Sequence, residues 1–178
     1  MTIAIAVTMS VVANAQNEPT DAKHQQGNMA FGVHISHYME DGFSLTGIGV
    51  RFRYTVIEQL RVEGVANYFF PKEMANIGGV SANASMLDFN VNAHYLFPVA
   101  ERLTLYPLVG FGFLSMRFDA SAGNLNVNTT SNHFIVNIGG GADIKIADNI
   151  SINVEPRLLR TFDDLGGFTI SAGVVFSF

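Results

Sequence analysis

The sequence predicts an all-β fold, an eight-stranded antiparallel up-and-down barrel that crosses a bilayer. Three observations carry that expectation. Apolar residues alternate with small polar ones in runs of about ten, the length a tilted strand needs to span hydrocarbon. The connectors between runs alternate between tight and long, as short inner turns and longer outer loops do in a membrane barrel. The polar face left by the alternation is also wrong for water: only 14% of the residues are charged, against about a quarter in an ordinary soluble chain.

The chain has 178 residues, 48% of them hydrophobic, with a net charge of -5 and no cysteine. That length fits one domain. Disulfides, thiol catalysis and zinc–thiolate sites are excluded, and ten Lys and Arg scattered between apolar residues argue against a nucleic-acid partner. At the start, MTIAIAVTMSVVANAQ places an apolar stretch, Ile3 to Val12, before Ala13-Asn14-Ala15, the small-x-small pattern of a signal-peptidase site. Residues 1–15 therefore read as a secretory signal; no Lys or Arg precedes the apolar run, as expected if the true start lies upstream. Residues 16–28 are polar and aperiodic, a periplasmic linker, and residues 29–178 form the barrel domain.

Side chains of a strand point alternately to its two faces, which assigns each run. The first, Met29 to Tyr38, sets Met29, Phe31, Val33 and Ile35 against Ala30, Gly32, His34 and Ser36. In the second, Ser44 to Tyr54, Ile48, Val50, Phe52 and Tyr54 oppose Gly47, Gly49, Arg51 and Arg53. The third, Leu60 to Phe70, sets Leu60, Val62, Ala66, Tyr68 and Phe70 against Arg61, Glu63 and Asn67. The fourth, Ser85 to Phe97, sets Leu87, Phe89, Val91, Ala93, Tyr95 and Phe97 against Asp88, Asn90, Asn92 and His94. The fifth, Arg102 to Phe118, is apolar on both faces; Leu105, Val109, Phe111 and Phe113 are placed outward and Tyr106, Gly110 and Gly112 inward. In the sixth, His133 to Ile146, Phe134, Val136, Ile138, Ala142, Ile144 and Ile146 oppose Asn137, Gly139, Gly141, Asp143 and Lys145. The seventh, Ile150 to Arg160, sets Ile150, Ile152, Val154, Pro156 and Leu158 against Ser151, Asn153, Glu155 and Arg157. The eighth, GFTISAGVVFSF, alternates Phe168, Ile170, Ala172, Val174, Phe176 and Phe178 with Thr169, Ser171, Gly173, Val175 and Ser177. Tight joins fall at 55–59, 98–101 and 147–149, and long polar ones at 71–83 and 119–132.

Arginines cannot face hydrocarbon, so the polar faces turn inward and the apolar faces outward. The lumen then holds Arg51, Arg53, Arg61, Lys145 and Arg157 with Glu63, Asp88, Asp143 and Glu155. An eight-stranded barrel is only wide enough inside for its own side chains, and an unpaired charge there costs several kcal/mol. These nine residues are expected to form an ion-pair network that plugs the lumen. Tyr38, Tyr54, Tyr68, Phe69, Phe70, Tyr95, Phe97, Phe118, Phe162, Phe176 and Phe178 lie near strand ends, where interfacial aromatic belts belong.

With these runs in place, the stretch Met29 to Phe178 resembles the small eight-stranded outer-membrane β-barrel superfamily, the type of outer-membrane protein X and the transmembrane domain of outer-membrane protein A. The most specific element is the end, FTISAGVVFSF, similar to the signal that outer-membrane assembly machinery reads; the resemblance assigns that role to Ile170, Val174, Phe176 and Phe178. LYPLVGFGFL, residues 105–114, is similar to the proline- and glycine-bearing strand in the middle of such barrels. The resemblance implies a Gram-negative outer membrane, contact with its lipid and lipopolysaccharide, the barrel-assembly machinery as a partner, a monomer, and structural or surface-interaction work rather than catalysis.

Other motifs carry less. IGGGAD, residues 138–143, is Gly-rich but lies within a strand, with no following helix to offer a phosphate its N-terminus; relief of crowding is the expected role. Some relatives are lipid A-modifying enzymes with a rim His and Ser, yet His34 and Ser36 stand two apart on one strand, about 7 Å, too far for direct proton transfer. No enzyme, cofactor or metal site is expected. The competing readings are a narrow pore for small solutes, a rim enzyme acting on lipid A, and a secreted lipocalin-like barrel with the opposite facing.

Overall fold

The computed structural model describes residues 26–77, 80–122, 125–161 and 166–178. The leader, most of the linker, Phe162 and the Asp163-Asp164 connector lie outside them. The elements are β1 (Met29–Glu40), β2 (Phe43–Ile57), β3 (Leu60–Ile77), β4 (Val80–Tyr95), β5 (Phe97–Ala100), β6 (Leu103–Ala122), β7 (Leu125–Ala147), β8 (Ile150–Thr161) and β9 (Gly166–Ser177). Consecutive strands pair antiparallel, except that β4 and β5 do not pair with each other and both pair with β6. β5 continues β4 along β6 past the start of β3, with the break at buried Leu96, so the barrel has eight staves.

The sheet closes on itself. β1 pairs with β9 from Ala30↔Ser177 to Met39↔Phe168, and Phe178 N–H donates to the Met29 carbonyl at 2.9 Å. Closure leaves no sheet edge in the apolar zone, where an unpaired backbone group costs several kcal/mol.

The expected facing holds on every strand. Phe31, Ile35, Phe52, Phe89, Phe111, Ile138 and Leu158 are exposed, while Arg51, Arg53, Glu63, Asp88, Glu155 and Arg157 are at most 2% exposed. This inside-out pattern rules out the lipocalin-like alternative, whose apolar residues would point inward. Exposed aromatics gather toward both ends: Tyr54, Tyr95, Phe97, Phe176 and Phe178 at one, Tyr68, Phe70 and Phe118 at the other. Two members expected in these belts are corrected. Tyr38 and Phe69 fall on inward positions of the alternation and are buried, 2% and 0% exposed.

The polar stretches at 71–83 and 119–132, expected as loops, are mainly strand. β3 and β4 stay paired out to Ile77↔Val80, β4 and β6 to Val80↔Ala122, and β6 and β7 to Ala122↔Leu125. Alternation fades there, with consecutive residues exposed at 71–73 and 127–130, while backbone pairing continues. Pro71 sits at an irregularity between Phe69 and Lys72, where a missing N–H does least harm. By contrast, β2–β3 pairing ends at Gly47↔Phe69 and β7–β8 pairing at Ile135↔Thr161. The result is a four-stranded wall of β3, β4, β6 and β7 rising above the rim.

A closed ladder of this kind resists detergent until heated. Folded in detergent, residues 16–178 should migrate at a different apparent mass before and after boiling; one mobility under both conditions would contradict closure.

Candidate functional site: the layered lumen

The inward side chains form stacked layers. Nearest the outer rim, Tyr38, Leu45, Phe69, Met86, Leu114, Ile135 and Leu159 make one buried apolar cluster, one residue from each strand except β5 and β9. On β9 the corresponding position is Gly167, where an added Cβ would overlap the Tyr38 ring. Tyr38 Oη donates to Glu40 Oε2 at 2.6 Å, and its ring meets Phe69 edge-on at 6.2 Å between centroids. This apolar lid escapes sequence reading. The signal was present, because each member sits two positions along from a small or polar inward residue.

One step inward lies a polar layer. Asn67 Oδ1 accepts from Ser36 Oγ at 3.0 Å and lies 2.6 Å from His34 Nε2, and Asn67 Nδ2 donates to Asp88 Oδ1 at 2.5 Å. Arg51 Nε donates to His34 Nδ1 at 3.2 Å. That nitrogen therefore carries a lone pair, and Nε2 carries the proton donated to Asn67. No basic nitrogen of His34 faces the Ser36 hydroxyl, so the pair lacks the geometry of an activated nucleophile. Asn137 Nδ2 donates to Asn90 Oδ1 at 2.6 Å and extends the layer across the barrel.

The ion pairs lie deeper. Arg53 Nε donates to Glu63 Oε2 at 2.6 Å and Arg53 Nη1 to Asp143 Oδ1 at 3.0 Å; Arg61 Nη1 donates to Asp143 Oδ2 at 2.7 Å. Arg51 Nη1 lies 3.4 Å from Glu63 and 3.2 Å from Glu155, and donates to Asn153 Oδ1 as well. Tyr106 ties the layer together. Its hydroxyl accepts from Arg53 Nη2 at 3.1 Å and Asn153 Nδ2 at 2.7 Å, and donates to Glu155 Oε2 at 2.7 Å. The Arg61 guanidinium stands 4.7 Å from its ring centroid, and His94 stacks on it at 4.5 Å.

Within the triple glycine of β7, Gly141 makes room for this tyrosine. A Cβ at Gly141 would overlap the Tyr106 ring, and one at Gly139 would overlap the Pro156 carbonyl. The glycines relieve crowding, as the sequence suggests.

Eight of the nine expected lumen charges are inside. Arg51, Arg53, Arg61, Glu63, Asp143 and Glu155 form the connected network, Asp88 belongs to the polar layer, and Arg157 Nε stands 3.6 Å from Glu155 Oε1. Lys145 is the exception. It keeps inward parity, but near the short-turn end of β7 it is already beyond the mouth; its side chain is 45% exposed and lies 3.6 Å from Asp148. Its removal leaves four arginines facing four carboxylates, a closer balance than five against four.

Glu63, His94 and Glu155 each bring one candidate ligand atom within 4.8 Å of the others. Arg61 Nε donates to His94 Nδ1 at 3.2 Å, so the free nitrogen, Nε2, carries the proton. Both carboxylates are already held by guanidinium groups. A cation there would meet four arginines, so this is an ion-pair cluster and not a metal centre.

Comparison with known proteins agrees with this geometry. The family described as outer membrane protein beta-barrel domain matches residues 2–178. A search of curated proteins gives no match. Among solved structures, the chain is similar to Ail, the attachment invasion locus protein of Yersinia pestis, at TM-score 0.60 and 19% identity, covering 86% of this chain and 100% of that one. It is similar to the N-terminal β-barrel domain of Pseudomonas aeruginosa OprF (TM-score 0.55, 16% identity, 86% and 98% covered) and to OprG of the same organism (0.57, 13%, 88% and 98%).

Breaking a buried pair by removing one partner costs about 3–5 kcal/mol. Arg53→Met takes the nearest guanidinium from Glu63 and one of two from Asp143, and should lose about that much in urea unfolding from lipid vesicles. Arg157→Met, which gives up a single ion-pair contact at 3.6 Å, should cost less by at least about 1 kcal/mol. Equal losses would show that the network is not held by the contacts described.

Proposed function

Because the chain belongs to the outer membrane protein beta-barrel domain family and resides in the outer membrane, we propose that it is a monomeric, side-chain-plugged barrel whose work is done outside the membrane, by surface interaction. The observation that carries this reading is the wall. β3, β4, β6 and β7 remain paired beyond the last rungs of β2 and β8. Among the described residues, no strand pairs with 70–77 on the β2 side or with 125–132 on the β8 side. Lys72 Nζ, which donates to the Ser44 carbonyl at 3.0 Å, leans the wall on the start of β2. A sheet edge in water is a ready template for an extended partner segment, and on the β7 edge the run Asn128, Thr129, Thr130, Ser131 and Asn132 suits polar contact. The Yersinia pestis protein of similar fold is named for attachment and invasion, which fits a display role.

The plug supports the same reading. The burial of an apolar lid above a charge-balanced network argues against the narrow pore. The bonding of His34 and Ser36 to Asn67 argues against a rim enzyme at that pair. For the end of the chain, we infer that Ile170, Val174, Phe176 and Phe178, all on the lipid side of the closing strand, form the recognition strand for the assembly machinery.

The wall can be cut flush at paired positions. Replacing 72–84 and 117–130 with Asn-Gly turns should abolish adhesion to host cells, or autoaggregation, by bacteria displaying the chain, while the boiling-dependent gel shift persists. Adhesion by the trimmed barrel, or none by the intact chain, would refute the display role. In planar bilayers the intact chain should pass no steady current above background; reproducible unitary steps would refute the plug.

A further inference from the structure

We propose that the outward face of β3 is a binding site for one hydrocarbon chain of the surrounding lipid. Along this face the outward side chains shrink to Gly64 and Ala66, between Val62 and Tyr68. The neighbouring strands do not shrink with it. Phe52 pairs with Gly64 across β2–β3, Phe89 pairs with Ala66 across β3–β4, and Phe111 and Phe113 stand one strand further on. A Cβ added at Gly64 would meet nothing within 4 Å. The result is a groove of about 440 Å³ with a floor of small residues and aromatic walls, within the range of roughly 300–1,000 Å³ that holds small ligands.

The groove lies between the two groups of exposed aromatics, in the apolar zone of the barrel. Its outward side chains are all hydrocarbon, so a polar ligand would lose its hydrogen bonds with water and gain none. A second copy of the chain fits poorly. A two-fold contact sets the same patch against itself, groove facing groove, and fills neither floor. Lipid chains surround the site at high concentration and have the right shape. Between hydrocarbons in a bilayer the hydrophobic effect supplies no drive; dispersion does, at roughly 0.1–0.2 kcal/mol per contacting atom pair. A chain lying in the groove touches wall, floor and wall, where a chain on a flat stave touches one surface.

The sequence contains no tryptophan, so a single introduced one is an unambiguous reporter. Phe89→Trp puts it in the groove wall, and Leu158→Trp puts it on exposed β8, away from the groove. Each variant is reconstituted in phosphatidylcholine vesicles containing a low mole fraction of brominated stearic acid, with the boiling-dependent shift confirming its fold. Ten additional atom contacts predict an apparent association about five- to thirtyfold stronger at Phe89→Trp than at Leu158→Trp. Gly64→Leu, whose side chain enters open space, should return it to the Leu158→Trp value, and Gly64→Ala should fall between. Equal quenching at the two positions, or an excess that survives Gly64→Leu, would overturn the site. Weaker quenching at Phe89→Trp that deepens as protein is diluted in lipid would assign the groove to a second copy and overturn it equally.

Discussion

A charge sealed from water must be paired, and most of this structure follows from that requirement. An eight-stranded barrel has too little interior for bulk water, so every polar side chain that lipid refuses must find its partner across the lumen. Arg51, Arg53 and Arg61 meet that demand with Glu63, Asp143 and Glu155, with Tyr106 and a set of asparagines taking up donors and acceptors between them, while Arg157 reaches Glu155 only at 3.6 Å. The glycines of β7 follow from it in turn: without a smooth stave beside it, Tyr106 could not reach the middle of the network.

The facing of each strand was legible because lipid reverses the usual rule and leaves a clean period of two. Arg51 and Arg53, alternating with Phe52 and Tyr54, admit one reading only. Membership of the network was largely legible too, since a charge on an inward position has nowhere else to go. Lys145 was misplaced because parity says which way a side chain points and not how far along the barrel it sits; at the mouth, water takes the place of a partner. Tyr38 and Phe69 were misplaced for a related reason. Aromatic residues near a strand end suit a belt and a lid equally well, and only the count of residues from the last outward position separates the two.

The wall was the least legible part. Within the apolar zone strand and facing are reported by the same signal, but above it both faces are wet and the pattern loses contrast. Pairing there is fixed by the backbone and by the hairpins' continuity with the staves below. A run of Asn, Ser, Thr and Ala reads as loop by composition, although β6 and β7 pair from Leu103↔Ile144 to Ala122↔Leu125.

The layering of the lumen bears on how the chain finds its register. Alternation alone tolerates a slip of two residues between neighbouring strands, since every side chain keeps its face. Here such a slip would carry Leu159 down to the level of Arg157, or lift Arg157 into the ring formed by Phe69, Met86 and Leu114. The first takes a member out of the lid and sets it among polar groups, and the second strands a charge in the apolar layer. The stack therefore acts as a set of tumblers: only one stagger of the eight staves aligns every level, so the shear of the barrel is encoded on its inside.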